Sequence, residues 1–328
     1  MLANERSGGF AAHRWKQYAV IRYASQNAGI LIGFVALCLF FALTTDTFLT
    51  SGNILTVLRQ ISINAIIAFG MTLVILIRGI DLSVGSIVAV TGTITVGLLV
   101  EGFGLPAALI AGMASGALIG FLNGFITAYG KIPSFIVTLA MMTIARGVAY
   151  VYTDGRPLRY DDSPVFNAIG NGYIGPIPVP ILLMLICLIA ISVLLNRTKF
   201  GRHVYAVGGN PEAARFAGIN IRKIEMIVFT IAGAFSALSG IILAARLNSG
   251  QPIAGQGFEL DAIAAVVLGG TSFAGGIGRV GGTIIGALII GVLSNGLNLL
   301  HVSFYYQLLI KGAVIIAAVY FDMMKKKA

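Results

Sequence analysis

Long runs of apolar residues, separated by short polar stretches, make up most of this chain. Runs long enough to cross the hydrocarbon core of a membrane occur at residues 28–45, 53–77, 84–100, 105–128, 134–152, 178–196, 224–245, 260–275, 280–300 and 303–321. The runs are continuously apolar, whereas strands of a membrane barrel alternate, so the pattern favours helices. We therefore predict an all-α, polytopic membrane protein with about ten transmembrane helices, the eighth being the weakest.

The composition agrees with this pattern. Hydrophobic residues make up 57% of the chain, charged residues only 10%, and the mean hydropathy is +0.93, values far from those of a soluble domain. The predicted transmembrane domain covers residues 28–322. It follows an N-terminal segment, 1–27, and precedes a basic tail, 323–328.

The positions of the charges predict the orientation of the chain. With the amino terminus in the cytoplasm, the basic residues fall on the cytoplasmic side: Arg6, Arg14, Lys16, Arg22, Arg78, Lys131, the loop 197–223, Arg279 and Lys325 to Lys327. The acidic residues then fall outside: Asp46, Glu101, Asp154, Asp161, Asp162 and Glu259. This bias predicts an even number of spans with both termini cytoplasmic. Nucleic-acid binding is a poor use of the net charge of +10, because no basic face persists beyond these loops.

The longest polar loop, residues 197–223, contains the signals of a short helix. Asn210 can cap it, Pro211 suits its first position, Glu212 favours the positive end of its dipole, and Gly218 can terminate it. About two turns of helix are too short to be stable alone in water.

Such a helix needs a partner, and Phe216 offers an apolar side chain that has no membrane to enter. We predict that the segment packs against another protein. The alternative is a structural cap packed on its own subunit. The segment comprises Asn210, Pro211, Glu212, Ala213, Ala214, Arg215, Phe216, Ala217 and Gly218.

Two stretches of similar sequence suggest an internal repeat. GALIGFLNG occupies 116–124 and GALIIGVLSNG occupies 286–296, and in the predicted topology they cross in opposite directions, as inverted repeats of transporters do. Chance similarity between small, apolar segments is the alternative. The glycines Gly112, Gly116, Gly120 and Gly124, spaced four apart, predict a seam of close helix packing.

Signals for catalysis are weak. Gly276, Gly278 and Gly281 form G-x-G-x-x-G, but without a βαβ unit the motif indicates a tight turn between the eighth and ninth spans. No Walker A motif occurs, and the three histidines show no metal-ligand spacing. Cys38 and Cys187 each lie in an apolar run. We therefore expect no catalytic residue, no metal site and no cofactor.

Three segments carry a resemblance to a known family. They are GIDLSVGS at 79–86, AVGGNPEAARFAGI at 206–219, and AVVLGGTSFAGGIGRVGGTIIGALIIGVLSNGL at 265–297. In this order they resemble the monosaccharide (ribose-type) branch of ABC importer permeases, over residues 28–322. The resemblance implies a homodimer in the inner membrane, a cytoplasmic ATPase pair, and a periplasmic or lipid-tethered binding protein that delivers the sugar. It also implies that Asn210 to Gly218 is the coupling helix.

A neutral, hydroxyl-rich substrate suits the polar residues of the spans. The charged residues within spans are Arg59, Arg146, Asp261 and Lys311, which we attribute to snorkelling or structural pairing. Amides and hydroxyls are candidates to line a pathway that binds sugar weakly, with interhelical hydrogen bonding as the alternative. These candidates are Asn64, Thr72, Asn123, Thr138, Asn295 and Asn298.

The external side offers candidates for docking the binding protein. Arg156 and Arg159 lie in the longest external loop, and Arg246 lies outside another span, so these charges can steer an encounter unless the loop is merely solvated. Two other functions stay open. One is a permease for an autoinducer furanose, a nucleoside or another small polar solute. The other is an ion-coupled secondary transporter, which usually needs a buried carboxylate that the spans do not securely provide.

Overall fold

The protein, seen in a computed structural model that describes residues 28–325, is a bundle of helices. Its first part contains α1 (Ala28–Thr44), α2 (Ser51–Leu76), α3 (Val84–Val100), α4 (Leu105–Gly130) and α5 (Ser134–Thr153). The predicted N-terminal segment, 1–27, and residues 326–328 of the predicted tail lie outside the described residues.

The second part alternates long and short helices. It contains α6 (Pro164–Asn171), α7 (Val179–Arg197), α8 (Lys199–Gly209), α9 (Pro211–Phe216), α10 (Ile221–Leu247), α11 (Phe258–Leu268), α12 (Val280–Leu299) and α13 (Phe304–Lys325). Four two-residue strands connect loops: β1 (Leu158–Arg159), β2 (Tyr173–Ile174), β3 (Ile177–Pro178) and β4 (Ser249–Gly250). β1 pairs antiparallel with β4, and β2 forms a hairpin with β3.

Helices α2 and α10 form the centre of the bundle. α2 packs on α7, α10, α11 and α12, while α10 packs on α2, α3, α4 and α6. The outer helices α4, α5 and α7 leave many large apolar side chains exposed, as a lipid-facing surface requires. Within the described range, six helices are long and apolar enough to cross a membrane: α2, α4, α5, α7, α10 and α12.

The predicted glycine seam is confirmed. Gly112, Gly116, Gly120 and Gly124 line the face of α4 that packs on α10 and α3. A β-carbon added at Gly120 would overlap the backbone of Phe229, and one at Gly116 would overlap Ala237. The absence of side chains therefore lets α4 and α10 approach until their backbones touch.

The eighth apolar run differs from the prediction of a helix over 260–275. Helix α11 ends at Leu268 because Gly269 and Gly270 follow, the latter with a φ of 84°. At 1.5 Å per residue its 11 residues rise about 16 Å, roughly half of a hydrocarbon core. The non-helical chain before α11 lies alongside α3, with Gly250 against Thr93 and Gly255 against Gly85.

One charged residue also lies elsewhere than expected. Glu259, predicted to face the outside, is only partly exposed, and its carboxylate lies where a β-carbon on Gly85 would be placed. Because Gly85 belongs to the first turn of α3, Glu259 is packed within the bundle and not in an external loop.

Candidate functional site

The short helix predicted in the polar loop is present as α9. The side-chain oxygen of Asn210 accepts a hydrogen bond from the backbone N–H of Ala213 at 3.0 Å, and Pro211 occupies the first turn. Glu212 lies in the first turn and Arg215 in the last, as the helix dipole favours. Gly218 follows the helix with a φ of 80°, a left-handed conformation that suits glycine.

The two faces of α9 differ in exposure. Ala214 is buried at 4%, and α9 packs on α8 and α10. Phe216 is 91% exposed, so the large apolar side chain contacts almost nothing in its own chain. An aromatic residue held outward on a short capped helix is a suitable anchor for a partner protein.

Helix α8, which the sequence did not reveal, holds α9 against the bundle. Val204 and Val207 are buried, and the Tyr205 hydroxyl donates a hydrogen bond to the Gly278 carbonyl at 3.0 Å. Burial raises the pKa of the Tyr205 phenol, and the positive charge of Arg279 partly offsets this effect. The hydroxyl is therefore protonated at neutral pH and can donate this bond.

The sequence also did not predict that the non-helical connection between α2 and α3 is buried. Residues 79–83 are not helical, yet Asp81 is fully buried. One carboxylate oxygen of Asp81 accepts hydrogen bonds from the Ser83 backbone N–H at 2.9 Å and the Ser83 hydroxyl at 2.6 Å. The Asn123 amide in turn donates to the Ser83 hydroxyl at 2.8 Å. The signals in the sequence were an acidic residue between the apolar residues Ile80 and Leu82 and the motif GIDLSVGS at 79–86.

Two pathway candidates bind this connection. The Thr138 hydroxyl on α5 accepts the Leu82 backbone N–H at 3.1 Å and lies 3.1 Å from the Ile80 carbonyl, to which it donates. Asn123 on α4 binds Ser83, as described above. Both candidates are fully buried, and both connect the outer helices to the non-helical segment.

Two other candidates, Thr72 and Asn295, join neighbouring helices. Thr72 and Thr283 share a hydrogen bond of 2.8 Å between α2 and α12. Asn53 and Asn295 exchange amide hydrogen bonds of 3.1 and 2.9 Å between the same two helices.

The remaining two candidates differ from each other. Asn298, which is exposed, accepts a 2.7 Å hydrogen bond from Gln307 on α13. Asn64 is partly buried on α2, and within residues 28–325 its side-chain oxygen has no hydrogen-bond partner.

Of the four charged residues predicted within spans, Asp261 and Lys311 form an ion pair, and Arg146 and Arg59 contact carbonyl oxygens and an aromatic ring. The Lys311 ammonium on α13 lies 2.9 Å from the nearer Asp261 carboxylate oxygen on α11. Arg146 donates two 2.7 Å hydrogen bonds to the carbonyls of Pro252 and Ala254 in the non-helical chain before α11. The Arg59 guanidinium lies 4.6 Å from the centre of the Tyr173 ring.

The docking candidates lie at the end of the bundle opposite to α9. Arg156 and Arg159 are exposed, whereas Arg246, in the last turn of α10, is only partly exposed. Strand pairing places Arg159 opposite Ser249, three residues after Arg246. The two loops that carry these arginines are therefore joined in one surface.

The described part of the chain contains neither a metal-ligand cluster nor a disulfide. Among residues 28–325, no group of three or more His, Cys, Asp or Glu side chains is placed to hold a metal ion. Cys38 and Cys187 are not joined in a disulfide.

Comparison with known proteins gives close relatives. Residues 53–319 match the family described as "Branched-chain amino acid transport system / permease component". The chain is 48% identical over 301 residues to the ribose import permease protein RbsC of Bacillus subtilis (strain 168), which covers 92% of this chain and 94% of the relative.

Two further relatives come from Escherichia coli (strain K12). Its ribose import permease protein RbsC is 48% identical over 299 residues, covering 90% of this chain and 93% of the relative. Its D-allose transport system permease protein AlsC is 39% identical over 294 residues, covering 89% of this chain and 90% of the relative. No solved structure matches the chain significantly.

Proposed function

The chain belongs to the family of branched-chain amino acid transport permease components, and from this membership we propose that it is the membrane subunit of an ATP-driven ABC importer for a monosaccharide. A separate ATPase hydrolyses ATP, and a binding protein delivers the sugar. The observation that carries the proposal is α9, a capped helix that presents Phe216 with 91% exposure at one end of an apolar bundle.

Ribose is the first substrate candidate. Identity to permeases named for ribose is 48–50%, against 39% for the relative named for D-allose. A neutral sugar also suits a bundle whose buried polar groups are largely hydroxyls and amides. The alternative substrates are other pentoses or hexoses, an autoinducer furanose or a nucleoside.

In this proposal, Asn210 to Gly218 form the coupling helix that binds the ATPase. The domain 28–322 works as a homodimer within membrane lipid, and binding-protein docking involves Arg156, Arg159 and Arg246. Thr138, Asn123 and Asn64 are the pathway candidates that we favour. Two of them bind the non-helical α2–α3 connection, and the oxygen of the third is free of partners among the described residues.

Ten spans are supported by the helices that accompany the six long ones. Three shorter apolar helices, Ile30–Thr44, Val84–Val100 and Phe304–Ala317, together with α11, bring the number to ten. An inverted repeat is supported by the order of elements, because a long helix, a non-helical segment and a shorter helix occur in α2–α3 and again in α10–α11. The matching segments 116–124 and 286–296 then fall in α4 and α12.

Reconstitution into lipid vesicles tests the proposed class of transporter. The permease and its ATPase are placed in vesicles that contain ATP, the binding protein is added outside, and uptake of radiolabelled ribose is measured. We expect uptake that requires both ATP and the binding protein. Uptake driven by a proton or sodium gradient without ATP would identify a secondary transporter. Competition by excess unlabelled allose, arabinose or inosine ranks the alternative substrates.

A further inference from the structure

Arg78 makes a contact that neither the fold nor the proposed coupling helix explains. It directly follows the capping residue of α2, has a φ of 67°, and is exposed. Its Nε donates a hydrogen bond to the Gly208 carbonyl at 2.7 Å, and its Nη2 donates to the Gly209 carbonyl at 2.6 Å. Gly208 and Gly209 are the last residues of α8, so the guanidinium binds the negative end of that helix dipole.

This contact lies next to the coupling helix. Asn210, which caps α9, directly follows the two carbonyls that Arg78 binds. The backbones there are packed without space, because a β-carbon on Gly208 would overlap the Leu76 carbonyl. The Gly276 N–H also donates to that carbonyl at 2.9 Å. A displacement of α9 therefore has to move the end of α2 or break these contacts.

On its other side, Arg78 begins the non-helical connection between α2 and α3. The Ile80 N–H binds the Ser134 hydroxyl at 3.0 Å, and the Leu82 N–H binds Thr138 at 3.1 Å. The connection also holds the fully buried Asp81. Two short segments, from Gly209 to Asn210 and from Arg78 to Ile80, thus separate the ATPase-facing helix from the buried polar groups.

We propose that Arg78 is a positioning residue that transmits the movement of the coupling helix to the α2–α3 connection. The inference rests on the proposed function. A guanidinium suits this role because its planar fork binds two successive carbonyls at once, whereas a lysine ammonium is a single point charge on a flexible stem. Tyr205 also holds α8 in place, but its hydroxyl binds the loop before α12 and not the α2–α3 connection.

The test uses Arg78→Gly with a matched control. Glycine adopts a positive φ without strain, so Arg78→Gly removes the guanidinium while relieving the backbone. Lys131 is an exposed basic residue with a φ of 55° that directly follows α4 at the same end of the bundle, so Lys131→Gly makes the same change elsewhere. Both variants are purified with the ATPase and reconstituted with the binding protein.

The measured quantity is sugar moved per ATP hydrolysed. Coupling between sites typically changes equilibria by about fivefold or more, so we expect this ratio to fall at least about fivefold in Arg78→Gly. It should recover partly in Arg78→Lys and stay unchanged in Lys131→Gly. The ATPase should co-purify with all three variants, because Phe216 is intact.

An unchanged ratio in Arg78→Gly would overturn the proposal. Loss of the ATPase or failure to accumulate would also overturn it, since either result would show that Arg78 only supports the fold. Failure of the proposed function is distinguishable, because the unsubstituted complex would then show no ATP-dependent uptake at all.

Discussion

At the scale of single residues, Phe216 concentrates the proposed function in one side chain. An aromatic residue that is 91% exposed gains nothing from its own fold, so its contribution comes from a partner. Its position after a capped turn fixes its direction, because Asn210 and Gly218 define both ends of α9.

Phe216→Asp should therefore abolish transport without affecting the permease itself. Loss of an interface anchor typically costs about 2 kcal/mol or more, equivalent to roughly thirtyfold in affinity, and burial of an unpaired charge adds to this cost. Co-purification of the ATPase and the yield of permease are measured together, with Phe216→Leu as a conservative control. A mutant that keeps the ATPase and transports normally contradicts the coupling role, while one that fails to accumulate indicates a structural cap.

The residues that could be predicted from sequence are those whose environment is local. Capping by Asn210 depends on the next three positions alone, so the sequence was sufficient. The connection that contains Asp81 is held by Asn123 and Thr138, which come from other helices, so only the assembled bundle reveals it. The Arg78 contact with Gly208 joins residues that are 130 positions apart and has no local signal.

At the scale of elements, the packing of α4 on α10 depends on glycines that leave no space for a larger residue. A β-carbon at Gly120 would overlap the Phe229 backbone, whereas one at Gly147, on α5, meets no atom within 4 Å. Overpacking typically costs about 1–3 kcal/mol, so Gly120→Ala should lower the thermal unfolding temperature of the purified permease. Gly147→Ala should leave it unchanged or raise it, since alanine is the better helix former. Equal unfolding temperatures in the two variants would contradict the seam.

The loops opposite α9 carry the predicted docking charges. Reversing Arg156 and Arg159 to Glu should weaken stimulation of the ATPase by the binding protein, and the effect should be larger at low salt because screening is then weak. Lys131→Glu, at the other end of the bundle, serves as the control. If the double variant keeps both its stimulation and its salt dependence, the loop is merely solvated.

The apolar pattern predicts some helices accurately and fails for others. The pattern located α2, α4 and α10 well, because long apolar runs without glycine pairs form continuous helices. It overextended α11 because Gly269 and Gly270 lie inside an apolar run and end the helix. It missed α8 because the Lys199–Gly209 sequence is too polar to stand out in a membrane protein.

At the scale of the whole molecule, the two ends of the bundle are chemically distinct. Arg78, Lys131 and the α8–α9 loop meet at one end, while Asp154, Asp161 and Asp162 lie in the loop joined to β4 at the other. The sequence predicted that these two groups of charged residues lie at opposite ends. The charge of a loop correlates with the side of the membrane on which the loop lies, and this correlation does not depend on how the helices pack. The basic residues at the α9 end predict that this end faces the cytoplasm.

A reporter that is active on only one side of the membrane tests this orientation. Fused after Asp162 it should be extracytoplasmic, and fused after Arg215 or after Lys326, which lies outside the described residues, it should be cytoplasmic. The three fusions together decide more than orientation. If α11 and its preceding non-helical chain cross the membrane once, an even number of helices separates Arg215 from Lys326, and both reporters share a side. Opposite sides for these two positions would mean that α10 crosses the membrane but that the chain from residue 248 to the end of α11 re-enters and leaves on the same side. The ten-span topology, the inverted repeat and a cytoplasmic carboxyl terminus would then fail together.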